Sequence, residues 1–107
     1  MAIQRFTKKD WTVFREKLPG WQEAYMDKIN KEYIGILSGD GNPSDKFWQL
    51  DKRIKEDKRN PGVQLRVSRS DLLWDIIALI NNDVISFDDL GDFSNELQET
   101  VHKLLGE

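Results

Sequence analysis

Apolar side chains recur every three or four residues along most of the chain, a spacing typical of amphipathic α-helices. A first helix is predicted over about residues 8–18, beginning after a capping-box-like Thr7 and ending at Pro19-Gly20. A second helix is predicted over about 21–37, because its apolar positions form one stripe: Trp21, Tyr25, Ile29, Tyr33 and Ile36. Two separate helices are therefore expected in the first third of the chain.

The next segment has a clear helix start and a clear stop. Asn42 is a suitable cap, Pro43 suits the first helical position, and Asn60-Pro61-Gly62 ends the segment. A third helix is therefore predicted over about 43–59. Its buried face is predicted to consist of Phe47, Leu50 and Ile54, with Trp48 beside them.

Residues 63–67 alternate apolar and polar side chains with a period of two, which favours a strand or an extended segment. One strand is not stable alone, so we predict that it pairs with residues 2–6.

The last third of the chain predicts a helix over about 71–82 that is apolar around most of its circumference. Such a helix belongs at the centre of a fold. Ser86 and Asp89 then cap a final helical region. A break at Gly91-Asp92 into two short helices is favoured there over one bent helix.

These elements predict a mainly α fold: a five- or six-helix orthogonal bundle around a central apolar helix, with a minor two-strand pairing. The length suits a single helical domain spanning residues 1–107. Four Trp and five Phe supply bulky apolar side chains. Core packing is the default interpretation for the Trp residues, with one or two at an interface as the alternative.

The charge is unevenly distributed. Residues 1–70 hold 15 Lys and Arg against 10 Asp and Glu, a net charge of +5. Residues 71–107 hold one Lys against nine acidic residues, a net charge of −8. No apolar run approaches the roughly 20 residues that cross a bilayer. The first ten residues include charged side chains and no apolar run, so no secretory signal is visible. We therefore expect a cytoplasmic protein that does not insert into membranes.

No segment contains the set of side chains that a catalytic or metal-binding site needs. Asp40 begins a sequence that looks like a calcium loop, but Asp45 stands where the bend glycine is needed. His102 is the only histidine and the chain has no Cys. Acidic pairs such as Asp71 with Asp75 are explained by helix caps and solvated faces. We predict no catalytic residue, no cofactor, no metal site, and a protein that is not an enzyme.

The third predicted helix and the residues after it carry a cluster of basic side chains. Acidic residues are interleaved with them at spacings that suit ordinary pairing along a helix, so a solvated face is the leading interpretation. A basic interaction surface that contacts phosphate is the alternative. Its candidate residues are Lys52, Arg53, Lys55, Lys58, Arg59, Arg66 and Arg69.

Three segments resemble a group of small cytoplasmic proteins of Gram-positive bacteria whose role is unknown. They are residues 18–25 (LPGWQEAY), 37–44 (LSGDGNPS), and 55–58 (KEDK) with 61–63 (PGV). Members of the group are sometimes labelled multidrug transporters, a label that a chain without a spanning segment does not fit. The resemblance implies a bacterial cytoplasmic protein and assigns no site residues.

The sequence favours a non-enzymatic protein–protein interaction or regulatory module. The split charge and the Trp content suggest a protein partner or self-association. The first alternative is a nucleic-acid-binding helical module that uses the basic surface between residues 52 and 69. The second alternative is a pocket between helices that binds a small ligand or catalyses a reaction.

Overall fold

The described part of the chain forms four α-helices connected by loops and turns. The structure, a computed structural model, describes residues 6–106. The helices are α1 (Lys8–Ser38), α2 (Pro43–Asp57), α3 (Leu72–Asn81) and α4 (Asn95–Leu104). Short 3-10 turns at Arg69–Asp71 and Phe87–Leu90 precede α3 and α4. None of the described residues lies in a strand, and the prediction of a mainly α fold is confirmed.

The predicted helix boundary at Pro19-Gly20 is wrong, because α1 runs without interruption from Lys8 to Ser38. Pro19, Gly20 and Arg15, whose carbonyl loses its helical donor to the proline, are all exposed. The apolar stripe continues across the proline at positions 14, 18, 21, 25 and 29. Burial along this stripe offsets the local cost of the proline, about 3 kcal/mol relative to alanine.

Replacing Pro19 with alanine is expected to stabilise the protein by about 1–2 kcal/mol. Alanine restores a helical hydrogen bond, which stabilises the folded chain. Losing the proline also makes the unfolded chain more flexible, which offsets only part of that stabilisation. Urea unfolding followed by circular dichroism measures the change, with Glu23→Ala at another exposed position of α1 as the control. Equal or lower stability for Pro19→Ala would show that the chain does not need a helical residue at this position.

The largest cluster of buried side chains lies between the first half of α1, α3, the second 3-10 turn and α4. Its most deeply buried members are 2% exposed or less: Phe14, Leu72, Ile76, Leu79, Leu90, Leu97 and Val101. We call residues 6–21 and 65–105, which pack around this cluster, the head. Apolar burial therefore stabilises the head more than any other part of the described chain.

The predicted count of five or six helices is not confirmed, because α1 takes the place of two predicted helices. α3 agrees with the helix predicted over about 71–82, and four of its side chains are buried. Trp74 on the same helix is nevertheless 60% exposed. One side of α3 faces solvent, so its predicted central position is not confirmed either.

A buried carboxylate connects the beginning of α1 to the beginning of α4. Asp10 is 1% exposed, and its oxygens accept the backbone N–H of Ser94 at 2.8 Å and the Ser94 hydroxyl at 2.7 Å. The Ser94 hydroxyl oxygen in turn accepts the N–H of Leu97, as an N-cap does. Thr7 caps α1 as predicted, accepting the N–H of Asp10 at 3.0 Å.

The end of the chain confirms the predicted break. A 3-10 turn at Phe87–Leu90 is separated from α4 by Gly91-Asp92 and the two residues that follow. The turn begins with the predicted capping box, in which the Ser86 N–H donates to the Asp89 carboxylate at 2.8 Å.

The predicted strand over residues 63–67 does not form. Leu65 and Val67 are half-buried against the core of the head, so their alternation reflects one-sided packing of an extended segment. Residues 2–5 of the predicted partner strand lie outside the described residues.

The second half of α1 and the whole of α2 form an antiparallel pair that extends beyond the head. We call residues 30–57 the distal hairpin. The molecule measures 54 × 25 × 24 Å, an elongated shape in place of the predicted orthogonal bundle. α2 begins at Pro43 as predicted, but none of its residues is buried. The prediction that Phe47 belongs to a buried face is wrong, because it is 60% exposed.

Candidate interaction surface

Polar contacts and a close backbone approach join α1 to the loop after α2, in the region between the head and the distal hairpin. The Gln22 amide donates to the carbonyl of Pro61 at 3.0 Å, and the Asn60 amide donates to the Tyr25 hydroxyl at 3.0 Å. A Cβ atom on Gly62 would lie 2.5 Å from Cδ2 of the Tyr25 ring, so only glycine fits there. These contacts fix where the hairpin leaves the head.

One side of the distal hairpin is held together by charged and aromatic groups. The Tyr33 hydroxyl donates to the Asp57 carboxylate at 2.5 Å, and Arg53 Nε donates to the same oxygen at 2.9 Å. Arg53 also pairs with Glu32, and its guanidinium lies 5.6 Å from the centre of the Tyr33 ring. Burial, followed by the hydrogen bond to Asp57, raises the pKa of Tyr33 to about 12. Tyr33 is therefore a neutral donor in this network at physiological pH.

Four large apolar side chains near the free end of the hairpin are exposed. Ile34 is 62% exposed, Leu37 49%, Phe47 60% and Trp48 64%. The rings of Phe47 and Trp48 meet edge to face with centroids 4.9 Å apart. We call these four residues the tip patch. Large apolar groups exposed together on a small protein commonly mark a contact surface.

Both helices contribute to the tip patch on the same side of the hairpin. The ion pair between Glu32 and Arg53 marks the opposite side. At about 100° per residue, Leu37 lies roughly 140° from Glu32 around α1, and Phe47 lies roughly 120° from Arg53 around α2. Because the two helices run in opposite directions, these rotations have opposite senses when viewed from one end of the hairpin, and both lead to the side away from the ion pair. The tip patch therefore forms one surface rather than two separate ones.

Two of the seven predicted basic residues form ion pairs with acidic side chains. Arg53 is engaged with Glu32 and Asp57, and Lys55 pairs with Asp51 at 2.9 Å. The candidate residues Lys52, Lys55 and Arg59 line a shallow depression on α2 and the turn after it, together with Asp51 and Glu56. Lys58, Arg66 and Arg69 are exposed outside that depression, the last two in the segment leading to α3.

An exposed tryptophan on the head lies beside a carboxylate with a perturbed pKa. Trp74 is 60% exposed, and next to it Asp75 is half-buried with one oxygen, Oδ2, lacking a hydrogen-bond partner. Burial, and secondarily the negative charge of Asp71, raise the pKa of Asp75 to about 6.

Asp75→Asn is expected to raise the melting temperature at neutral pH. A raised pKa means that folding favours the protonated acid, so the wild type loses stability as pH rises from about 4 through 6. The asparagine variant does not have this loss. Thermal unfolding of both proteins should therefore show a difference at neutral pH that disappears near pH 3.5. A difference that stays constant with pH would contradict the raised pKa.

Sequence reasoning missed the tip patch because it assigned apolar residues on a helix to its buried side. Ile34 and Leu37 fall off the stripe that contains Ile29, Tyr33 and Ile36. That offset indicates that α1 has a second apolar side in addition to the stripe. Among the Trp residues, Trp11 and Trp21 do pack against the core, as the default predicted, whereas Trp48 and Trp74 are largely exposed.

Across residues 6–106, no three His, Asp or Glu side chains are placed to share a metal ion. No helix within that range has the length and apolar character needed to cross a bilayer. Comparisons with protein-family models, with curated proteins and with solved structures find no match. A proposal about function therefore rests on the exposed side chains and their contacts.

Proposed function

We propose that the chain is a non-enzymatic protein-interaction module that binds its partner through the tip patch. The observation that carries this proposal is the exposure of four large apolar side chains on one side of a helical hairpin. Helical hairpins with an apolar side bind other helices by packing side chains between them.

The amount of apolar surface supports a binding role. Aromatic side chains carry about 150–250 Å² each, so the tip patch leaves roughly 400 Å² of apolar area in water. The largest contiguous apolar patch on a typical soluble monomer measures about 300–600 Å², and patches of that size often have a function. Trp is also among the residue types enriched at positions that dominate binding energy, and Trp48 is the most exposed residue of the patch.

Nucleic-acid binding has weaker support. A phosphate-binding surface needs cations that are not already neutralised. Here two carboxylates, Asp51 and Glu56, line the same depression as the basic residues, and Arg53 is held by two acidic side chains. A gel shift at low salt tests this alternative. Binding that is lost on neutralising Lys52 and Arg59 would favour it over the protein-interaction proposal.

Site-specific photo-crosslinking in the cell of origin tests the proposal directly. A photoreactive phenylalanine analogue at position 47 is expected to form a covalent adduct with a protein partner. The matched control carries the same analogue at Lys9, which is exposed at the opposite end of α1. An adduct at position 47 and none at position 9 supports the tip patch as the binding surface. No adduct at position 47, or equal adducts at both positions, contradicts it.

A further inference from the structure

Building on the proposed function, we propose that the tip patch binds a second copy of this chain. Two distal hairpins would then pack through their tip patches, around a two-fold axis, into a four-helix bundle. The contact would be isologous, with the same four side chains contributed by each copy.

The first support is the incomplete packing of the hairpin itself. α2 spans 15 residues and none of them is buried. Leu50 and Ile54, which the sequence predicts on its buried face, are only half-buried. Two antiparallel helices with one covered side correspond to half of a four-helix bundle. A second hairpin would supply the missing layer with helices of the same length and spacing.

The second support is the area of the patch. A stable interface of standard size buries about 800 Å² on each partner, of which about 57% is apolar. That amounts to about 450 Å² of apolar surface per copy, close to the roughly 400 Å² of the tip patch. The patch is therefore large enough to be the apolar centre of a dimer.

The third support is the charge of the distal hairpin. Residues 30–57 hold five Lys and Arg against six Asp and Glu, a net charge of −1. Two copies can approach through this region without strong repulsion. A strongly acidic or strongly basic partner would meet no opposite net charge on the hairpin. The near-neutral hairpin thus fits its own copy better than it fits a highly charged molecule.

Sedimentation equilibrium of the purified chain tests the proposal. The wild type is expected to dimerise at concentrations on the order of micromolar, and to remain dimeric at high salt because the contact is apolar. Trp48→Glu and Leu37→Glu are each expected to raise the dimer Kd by at least about tenfold. Trp74→Glu is the matched control, since Trp74 is about as exposed but lies on the head, and its Kd should stay within about twofold.

Several results would overturn the second-copy proposal. They are a wild type that stays monomeric at high concentration, a dimer that dissociates in high salt, and a dimer that both tip variants retain. Circular dichroism is the check that each variant remains folded. A monomeric wild type with a crosslink from position 47 to a different protein would remove the dimer and leave the proposed function intact. A monomeric wild type with no crosslink would remove both.

Discussion

Asp10→Ala is expected to destabilise the protein by about 3 kcal/mol or more. The substitution removes two hydrogen bonds to a buried carboxylate, and hydrogen bonds to charged groups contribute about 1.5–3 kcal/mol each. It also leaves the N–H of Ser94 and its hydroxyl without their acceptor at the start of α4. Urea unfolding at neutral pH measures the loss.

A double-mutant cycle separates the Asp10–Ser94 interaction from other effects of the substitution. Ser94→Ala also loses the N-cap of α4, which typically costs about 1 kcal/mol. Because the two residues share a hydrogen bond, the double variant should lose less stability than the two single losses added together. Strictly additive losses would show that this contact does not couple α1 to α4.

Phe14→Ala and Phe47→Ala are expected to differ by several kcal/mol although the chemical change is the same. Phe14 is completely buried, with the rings of Trp11 and Trp21 centred 6.1 and 6.3 Å away. Its removal leaves a cavity and should cost about 4 kcal/mol. Phe47 is 60% exposed, so its replacement should change the free energy of unfolding by about 0.5 kcal/mol or less.

Chemical denaturation at low protein concentration makes this comparison, because dilution removes any contribution from association through the tip patch. Phe14→Leu serves as a control that keeps most of the apolar volume and should lose less than Phe14→Ala. Similar losses for Phe14→Ala and Phe47→Ala would mean that α2 packs into a core, contrary to the exposed hairpin.

Helix positions in the head could be predicted because one-sided burial leaves a periodic pattern. Leu72, Ile76 and Leu79 mark α3, and the break at Gly91 follows from local turn chemistry. The continuity of α1 could not be predicted in the same way. A proline in a helical pattern usually ends or kinks the helix. Only the packing of a long apolar stripe shows that α1 continues through Pro19.

The candidate site was predicted less well than the fold. A sequence shows that Phe47 and Trp48 are apolar but does not show whether another element covers them. It also places Arg53 near other cations along the chain. In the folded protein Arg53 meets Glu32, which is distant in sequence and neutralises it. Long-range contacts of this kind decide which side chains are free, and no local pattern encodes them.

The tip patch can be exposed only if α1 continues through Pro19 and carries the hairpin beyond the head. The most direct measurement is the distance between spin labels at Thr12→Cys and Asn30→Cys, two exposed positions of a chain that has no other cysteine. Eighteen residues of continuous helix predict a narrow distribution near about 27 Å. Two helices meeting at a right angle at Pro19-Gly20 would give about 20 Å, and that result would contradict the extended hairpin.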